Sequence, residues 1–405
     1  MELTDILVLL GAMTTLLLLT TPKLIRNQLW GATITPLASI IGSGFLIIGP
    51  ILVIHFGQLA LFPMAALSIA GYAFGSAIRY NISAIGEHGS ADGLLLQGME
   101  RLSSWVLALA YVISVAYYLN LFGSFTARIS GPEAGQLART VTTAIYVVVL
   151  IAGFLRGFPM LQRMEQVSVS LKLAIIAGLL AGITLFAAGK WQADELPANH
   201  PHWGLWEGTP LVLGLLITVQ GFETSRYLGD AYSTRTRIRS MRVAQLIASA
   251  IYIFYVALLT LSFENSSIPV RETAIIDMMA PVSALLPAML ILAALNSQFS
   301  AAVADTASSG GLFEELTNRR LKPQYGYALI ALTGVLLTWA TDVFSIINIA
   351  SRAFALYYAL QSMIAAQRAW MRERMPVRRM TFVMSYLFLA TLGIAALVFG
   401  IPVEA

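Results

Sequence analysis

The 405-residue chain has no cysteine, four histidines and few charged residues, which make up 11% of the sequence. Without cysteine there is no disulfide framework and no thiolate metal site. A soluble domain carries roughly twice this share of charge, and the mean hydropathy of +0.75 also argues against a soluble protein. The sequence lacks a nucleophile elbow, an H-E-x-x-H motif and paired histidines within its apolar runs. We therefore predict that the protein is not an enzyme and has no cofactor and no metal site.

What the chain does have is a series of long apolar segments. A helix that spans a membrane needs about 20 apolar residues. Segments that approach or exceed this length lie at 3–20, 31–54, 58–80, 103–127, 140–157, 166–189, 209–228, 243–263, 281–310, 324–340, 343–367 and 381–400. The first segment lacks the basic start and the cleavage site of a signal peptide, so we interpret it as a span. The sequence predicts an all-α integral membrane protein with about twelve transmembrane helices.

The basic residues indicate how these helices are oriented. Most of the 25 lysines and arginines fall in alternate loops, above all in 235–242, 319–322 and 368–379. Loops rich in Lys and Arg face the cytoplasm, so both termini are expected outside, most simply in a bacterial cytoplasmic (inner) membrane. The pI of 9.3 then follows from topology, and no nucleic-acid partner is expected. The expected partners are the lipid bilayer and a small-molecule substrate, and the sequence does not indicate an oligomeric state.

Two of the apolar segments contain features that break a helix. Glycine destabilises a helix by about 1 kcal/mol relative to alanine, and irregular backbone at membrane depth occurs only where it is buried in protein or lines a cavity. Broken helices point to the binding sites of transporters. The residues at the two breaks, which we predict to bind substrate, are Ile40, Gly42, Ser43, Gly44, Gln220, Gly221, Phe222 and Glu223. The alternative is that both glycine motifs only allow close helix packing.

The position of the breaks predicts an inverted repeat. Each break falls in the first of five spans, and the segments 31–189 and 209–367 have opposite predicted topology. The remaining parts are an extra N-terminal helix and loop at 1–30 and a C-terminal helix at 381–405. Free amides after Gly44 suit a carboxylate, and free carbonyls before Gly221 suit an ammonium group or a cation.

Ionisable residues inside membrane spans are costly and usually functional. Lys172 is predicted to act as a fixed cation or a proton carrier, although its side chain could also extend to the inner surface. Glu223 could take up a proton or hold unwound backbone, and Arg226 is one turn away and could pair with it. We predict a buried ion pair between Asp305 and Arg352, with Glu223 or a water-filled cavity as the alternative partner of Arg352.

Polar side chains within spans supply further candidates. Tyr117 could close over a substrate, although packing alone is equally compatible with its position. Ser297 and Ser300 could ligate a coupling cation, or satisfy carbonyls of their own helix.

These motifs resemble those of the amino acid–polyamine–organocation (APC) superfamily, whose members have the LeuT-type fold of two inverted five-helix repeats. The resemblance covers roughly residues 31–370 and identifies the chain as a divergent member. Ile41–Phe45 is similar to the glycine motif that receives the substrate carboxylate, and Gln220–Glu223 is similar to the sixth-helix break. Lys172 resembles the fifth-helix lysine that replaces a sodium ion in sodium-independent members.

The resemblance implies a secondary active transporter of an amino acid or a related amine-bearing solute, which works by alternating access and is proton-coupled or an exchanger. Two alternatives remain. A sodium-coupled symporter would bind its cation through Ser297, Ser300 and carbonyls near Ala38 and Ile41. A non-transporting sensor could use the same scaffold.

Overall fold

The computed structural model describes residues 3–403 except 43, 89–92, 132–134, 157–158 and 230, and it leaves out the side chains of 86–88, 152–156 and 159–166. All regular structure in this described part is helical. One predicted site residue, Ser43, lies outside the described residues.

The α-helices follow one another with short connections. In chain order they are α1 (Leu3–Leu19), α2 (Pro22–Ile25), α3 (Gln28–Ile40), α4 (Gly44–Phe56), α5 (Leu61–His88), α6 (Leu94–Ala127), α7 (Gly135–Arg156), α8 (Pro159–Gln192), α9 (Thr209–Gly214), α10 (Thr234–Ser262), α11 (Ala274–Met279), α12 (Leu286–Leu316), α13 (Pro323–Ala340), α14 (Val343–Arg372) and α15 (Pro376–Phe399). Each predicted apolar segment overlaps one of these helices or, at the breaks, a pair or series of shorter helical pieces, although the helix ends differ by several residues in places.

The helices differ in how well they fit a membrane. By length and apolar character, 7 described helices can cross a membrane, and α3 with α4 forms a bent pair that would make an eighth. Helix α1 and the segment Gly135–Ile151 are shorter apolar helices. The structure is therefore that of an all-helical membrane protein, and the count of about twelve spans stays a prediction.

Helix α6 lies at the centre of the bundle. It packs along α12 on one side and along α14 on another, and α15 covers α14. Residues of α6 such as Ala108, Val115 and Tyr118 are almost fully buried. On the other side of the molecule α10 packs against both α3 and α5. The short helical pieces at the breaks are thus enclosed by long helices, which is where irregular backbone can exist within a membrane.

The extra N-terminal helix α1 packs along α8, the helix that carries Lys172. The contact is close because a Cβ added to Gly178 would lie 2.7 Å from the carbonyl oxygen of Val8. Ser283 donates a hydrogen bond of 2.6 Å to the carboxylate of Asp5, which ties the start of α1 to the segment that precedes α12. Helix α1 therefore supports α8 from outside.

Candidate functional site

The first break separates α3 from α4. Helix α3 ends at Ile40 and α4 begins at Gly44, with a bend of 45° between them. Ile41 leaves helical geometry with φ −82° and ψ 53°. Gly44 is required here because a Cβ at this position would lie 2.7 Å from the Cα atom of Thr218, which belongs to the second break.

The second break is longer. Helix α9 ends at Gly214, and two 3-10 helices follow at Leu216–Val219 and Phe222–Tyr227. Gly221 lies between them with φ +113°, a conformation that L side chains rarely adopt. A Cβ on Gly221 would approach the Cβ atom of Ser39 to 2.6 Å.

The two breaks therefore lie in contact with each other. The hydroxyl of Tyr252 on α10 lies 2.9 Å from the carbonyl oxygen of Ile40 and 2.8 Å from that of Thr218. These carbonyls are released where a helix ends, and the tyrosine lies between them. Sequence reasoning gave no role to Tyr252, although an aromatic hydroxyl in an apolar span is a signal for a buried hydrogen bond.

Glu223 is fully buried beside the second break. Its Oε2 atom accepts hydrogen bonds from the amide of Gly221 at 2.9 Å and from the hydroxyl of Tyr358 at 3.0 Å. Phe222 stacks on the ring of Tyr358, and Gln220 donates to the hydroxyl of Tyr118 at 2.8 Å. The carboxylate thus holds the unwound backbone of its own segment.

A cavity of about 540 Å³ begins at the breaks. It extends toward the end of the bundle where α12 ends and α13 begins. Its lining comes from α3, α6, α8, the segment after Gly221, α12 and α13. The polar and aromatic lining residues are Thr35, Ser39, Tyr111, Lys172, Thr224, Tyr227, Ser297, Ser300, Asp305, Ser308 and Tyr327.

Lys172 lies at the deep end of this cavity, next to the first break. Its Nζ atom donates to the carbonyl oxygen of Ala38 at 2.8 Å and contacts Ser297 Oγ at 3.3 Å. Ser300 lines the cavity one turn further along α12. Three of the four residues predicted for coupling, Lys172, Ser297 and Ser300, therefore line the same cavity, whereas Glu223 lies behind it at the second break. The ammonium group is bonded to oxygen atoms that a bound cation would need.

The residues predicted to bind substrate have a different position. Those at the breaks, Ile40, Gly42, Gly44, Gln220, Gly221, Phe222 and Glu223, are buried and do not line the large cavity. Tyr117 is also buried and packs on Tyr118, and Tyr111 lines the cavity instead. The breaks are packed against one another, so a solute would reach them only if they separated.

The predicted ion pair between Asp305 and Arg352 is wrong. Asp305 accepts a hydrogen bond from Ser114 on α6, whereas Arg352 donates to the carbonyl oxygen of Gly400 at 2.7 Å, beyond the end of α15. The pair does not form because α6 packs between α12 and α14, and the long arginine side chain reaches the end of the bundle.

Arg226 does not pair with Glu223, as its position one turn away would have allowed. Arg226 forms an ion pair with Glu100 at 2.6 Å, and Arg368 approaches the same carboxylate at 3.0 Å. The buried amide of Gly221 and the hydroxyl of Tyr358 use Oε2 of Glu223 instead.

At the end of the bundle opposite Glu100, two ion pairs connect neighbouring segments. Arg128, which follows α6, and Arg271 both pair with Asp277 on α11. In the described part of the chain no group of three or more His, Asp or Glu side chains could hold a metal ion.

Comparison with known proteins agrees with this architecture. Residues 22–400 match the family model described as an APC superfamily transporter. The chain is also 39% identical over 411 residues to an uncharacterized protein of Aquifex aeolicus (strain VF5), with 100% of this chain and 98% of that protein covered. The chain belongs to the APC superfamily of transporters. The matched region begins after α1, so the extra helix lies outside it.

Proposed function

We propose that this protein is a secondary active transporter that moves an amino acid or a related amine-bearing small solute by alternating access. The observation that carries the proposal is the cavity of about 540 Å³ that begins where two broken helices meet and contains a buried lysine. A cavity lined by polar and aromatic groups within a helical membrane bundle suits a small polar solute. Membership of a transporter superfamily supports the same function.

The proposed topology has about twelve spans, with 31–189 and 209–367 as inverted five-helix repeats of the LeuT type. The contact between the two breaks supports it, since inverted repeats bring their broken helices to a shared midplane site. The basic loops support a cytoplasmic-membrane location with both termini outside. In this topology the cavity faces the cytoplasm.

We propose that transport is independent of sodium and uses protons or exchange. The support is Lys172, whose Nζ atom already donates to Ala38 O and contacts Ser297 Oγ. Sodium symport would need those same oxygen atoms, and a nearby ammonium group repels a cation. In the proposed cycle, Gly42, Ser43 and Gly44 receive the solute carboxylate once the breaks separate, because free amides at a helix start attract anions.

Uptake into proteoliposomes tests the proposal. A panel of radiolabelled amino acids and amines is offered with sodium outside, and again with choline in place of sodium. We expect uptake of at least one solute at equal rates in both salts. Steep sodium dependence would favour the symporter, and absence of flux for every solute that binds would favour a non-transporting sensor.

A variant sharpens this test. Lys172→Ala should reduce uptake strongly, since it removes the ammonium group that holds α8 to the end of α3. If Ser297 and Ser300 then form a cation site, sodium should partly restore uptake in Lys172→Ala and have no effect on the wild type. Arg320→Ala, at an exposed position in the α12–α13 loop, is the matched control for loss of a positive charge.

A further inference from the structure

Asp305 has an unusual position for a carboxylate in a membrane protein. It lies in the middle of α12, forms part of the cavity wall and is 4% exposed. Ser114 donates a hydrogen bond to its Oδ2 atom. Within the described part of the chain no basic side chain lies within the 4.0 Å that defines an ion pair with it.

This arrangement leaves the carboxylate with unused capacity to accept hydrogen bonds. A carboxylate has two oxygen atoms and about four acceptor sites, and Ser114 fills one of them. A buried charge without a counter-ion is strongly unfavourable. A cation that enters through the cavity would supply both the missing charge and the missing donors.

Aromatic rings line the same cavity. Tyr111, Tyr227 and Tyr327 come from α6, the segment after Gly221 and the start of α13. The face of a tyrosine ring attracts an organic cation, whereas a hard metal ion requires several oxygen ligands. A carboxylate combined with tyrosine rings therefore fits an alkylammonium group.

Three backbone carbonyl oxygens at the breaks already accept hydrogen bonds, and the Oε1 atom of Glu223, which has no partner among the described residues, does not line the cavity. The carbonyl oxygen of Thr218 is bonded to Tyr252, and that of Gly221 accepts from Thr224 Oγ1 at 2.7 Å. The carbonyl oxygen of Ala38 accepts from Lys172. Among the described lining residues, Asp305 is the acidic side chain of the cavity.

We propose that Asp305 binds the ammonium group of the transported solute, with the tyrosine rings of the cavity around it. That the bound solute is also transported rests on the proposed function. The assignment itself identifies the solute class as alkylammonium compounds. Ser297, which contacts Lys172, is about 12 Å away along α12 at 1.5 Å per residue. Among the described residues no ion pair joins Lys172 to Asp305, so the two charged groups occupy separate positions in the cavity.

The test uses the full-length protein purified in detergent. Thermal stabilisation and calorimetric titration are measured with short-chain alkyl monoamines and diamines, each compared with the alcohol or diol of the same carbon skeleton. We expect the amines to bind and the alcohols not to bind. Asp305→Asn keeps the volume and the contact with Ser114, and it should weaken amine binding at least about tenfold, since a charge-assisted hydrogen bond becomes a neutral one. Glu315→Gln, at an exposed position on the same helix, should leave it unchanged.

A second variant keeps the test decisive if Asp305→Asn does not fold. Tyr227→Leu retains the carboxylate and removes one ring at a partly exposed position, and it should weaken amine binding by roughly twofold to tenfold. Equal binding of amines and alcohols, no binding of any amine, or full amine affinity in Asp305→Asn would each overturn the assignment.

The two proposals can fail separately. If amines bind in a way that depends on Asp305 but no solute crosses the membrane of proteoliposomes, the binding-site assignment is supported and the transport function is refuted. If a solute is transported and its affinity is unchanged in Asp305→Asn, the transport function is supported and the assignment of Asp305 is refuted.

Discussion

The two helix breaks differ in how their unwound backbone is hydrogen-bonded. At the second break the Oε2 atom of Glu223 accepts the amide of Gly221, so the unwound backbone is held by its own segment. At the first break α4 begins at Gly44, and no side chain among the described residues is hydrogen-bonded to the amides of Gly44 or Phe45. At the second break the amide of Gly221 is paired, although the Oε1 atoms of Gln220 and Glu223 have no partner among the described residues. At the start of α4 the described residues offer no side-chain acceptor, so its amides could receive another group.

This difference gives the site a direction. A carboxylate already lies at the second break, so a second anion there would be repelled. The start of α4 carries the partial positive charge of a helix N-terminus without such a neighbour. We therefore expect an anionic group of the solute to approach the first break and a cationic group to remain on the cavity side.

The largest effect is expected from Gly221→Ala. The new Cβ would approach Ser39 Cβ to 2.6 Å in a residue with φ +113°. Strain and overpacking together should destabilise the protein by about 4 kcal/mol, measured as a fall in melting temperature in detergent. Gly311→Ala is the control, because a Cβ there meets nothing within 4 Å. Equal melting temperatures for the two variants would contradict the close contact of the breaks.

Gly44→Ala should have a smaller effect, about 2 kcal/mol. Its Cβ would lie 2.7 Å from Thr218 Cα, but Gly44 does not have a positive φ. The clash is therefore not accompanied by backbone strain. Gly44→Leu should insert into the membrane and fail to bind solute, as tested by the binding panel. A greater loss of stability in Gly44→Ala than in Gly221→Ala would reverse the comparison.

Glu223→Ala should destabilise the protein by about 1.5 kcal/mol, because the buried amide of Gly221 loses its acceptor. Glu223→Gln retains an acceptor oxygen and should lose less. Tyr358→Phe removes the other hydrogen bond to Oε2 but leaves the amide paired, so its effect should lie between those of the wild type and Glu223→Ala. If Glu223→Gln and Glu223→Ala have the same melting temperature, the charge of Glu223 rather than its hydrogen bond stabilises the break.

Asp342 offers an ordinary capped helix start for comparison, with the smallest effect. Its Oδ1 atom accepts from the amide of Ser345 at 2.9 Å at an exposed position before α14. Asp342→Ala should destabilise the protein by about 1 kcal/mol. Partial burial raises the pKa of Asp342. The hydrogen bonds from the side chain and backbone of Ser345 lower it by more, so the net shift of the pKa is downward.

A lowered pKa in the folded state gives the sign of the pH dependence. The stabilisation by Asp342 is present above the unfolded-state pKa of about 3.9 and is lost as the pH falls through the folded-state value. The difference in melting temperature between wild type and Asp342→Ala should therefore shrink under acidic conditions. A constant difference down to low pH would show that the cap does not depend on the carboxylate charge.

Backbone features of this fold could be predicted from the sequence. Glycines within apolar runs located both breaks, because few other residues interrupt an apolar helix at membrane depth. Lys172, a charged residue in an apolar span, was predicted to be functional, and its Nζ atom lies 2.8 Å from Ala38 O beside the first break. These inferences depend on where a residue lies along the chain, and they are insensitive to how a helix is rotated.

The partners of single side chains could not be predicted in the same way. Each residue advances about 100° around a helix, so Tyr111 and Tyr117 face different surroundings and only the former lines the cavity. Asp305 and Arg352 were paired because both are charged, but α6 packs between their helices and each finds a neutral partner. Tertiary packing, which determines these contacts, has no local sequence signal.

The hydroxyl of Tyr252 carries a single hydrogen atom, yet it lies within bonding distance of two carbonyl oxygens, one from each break. Its single proton is shared between the two carbonyls or alternates from one to the other. The closed junction is therefore a frustrated one in which two acceptors compete for one proton. If the breaks separate, Tyr252 can keep a hydrogen bond to either carbonyl, so at most one bond is lost at this point.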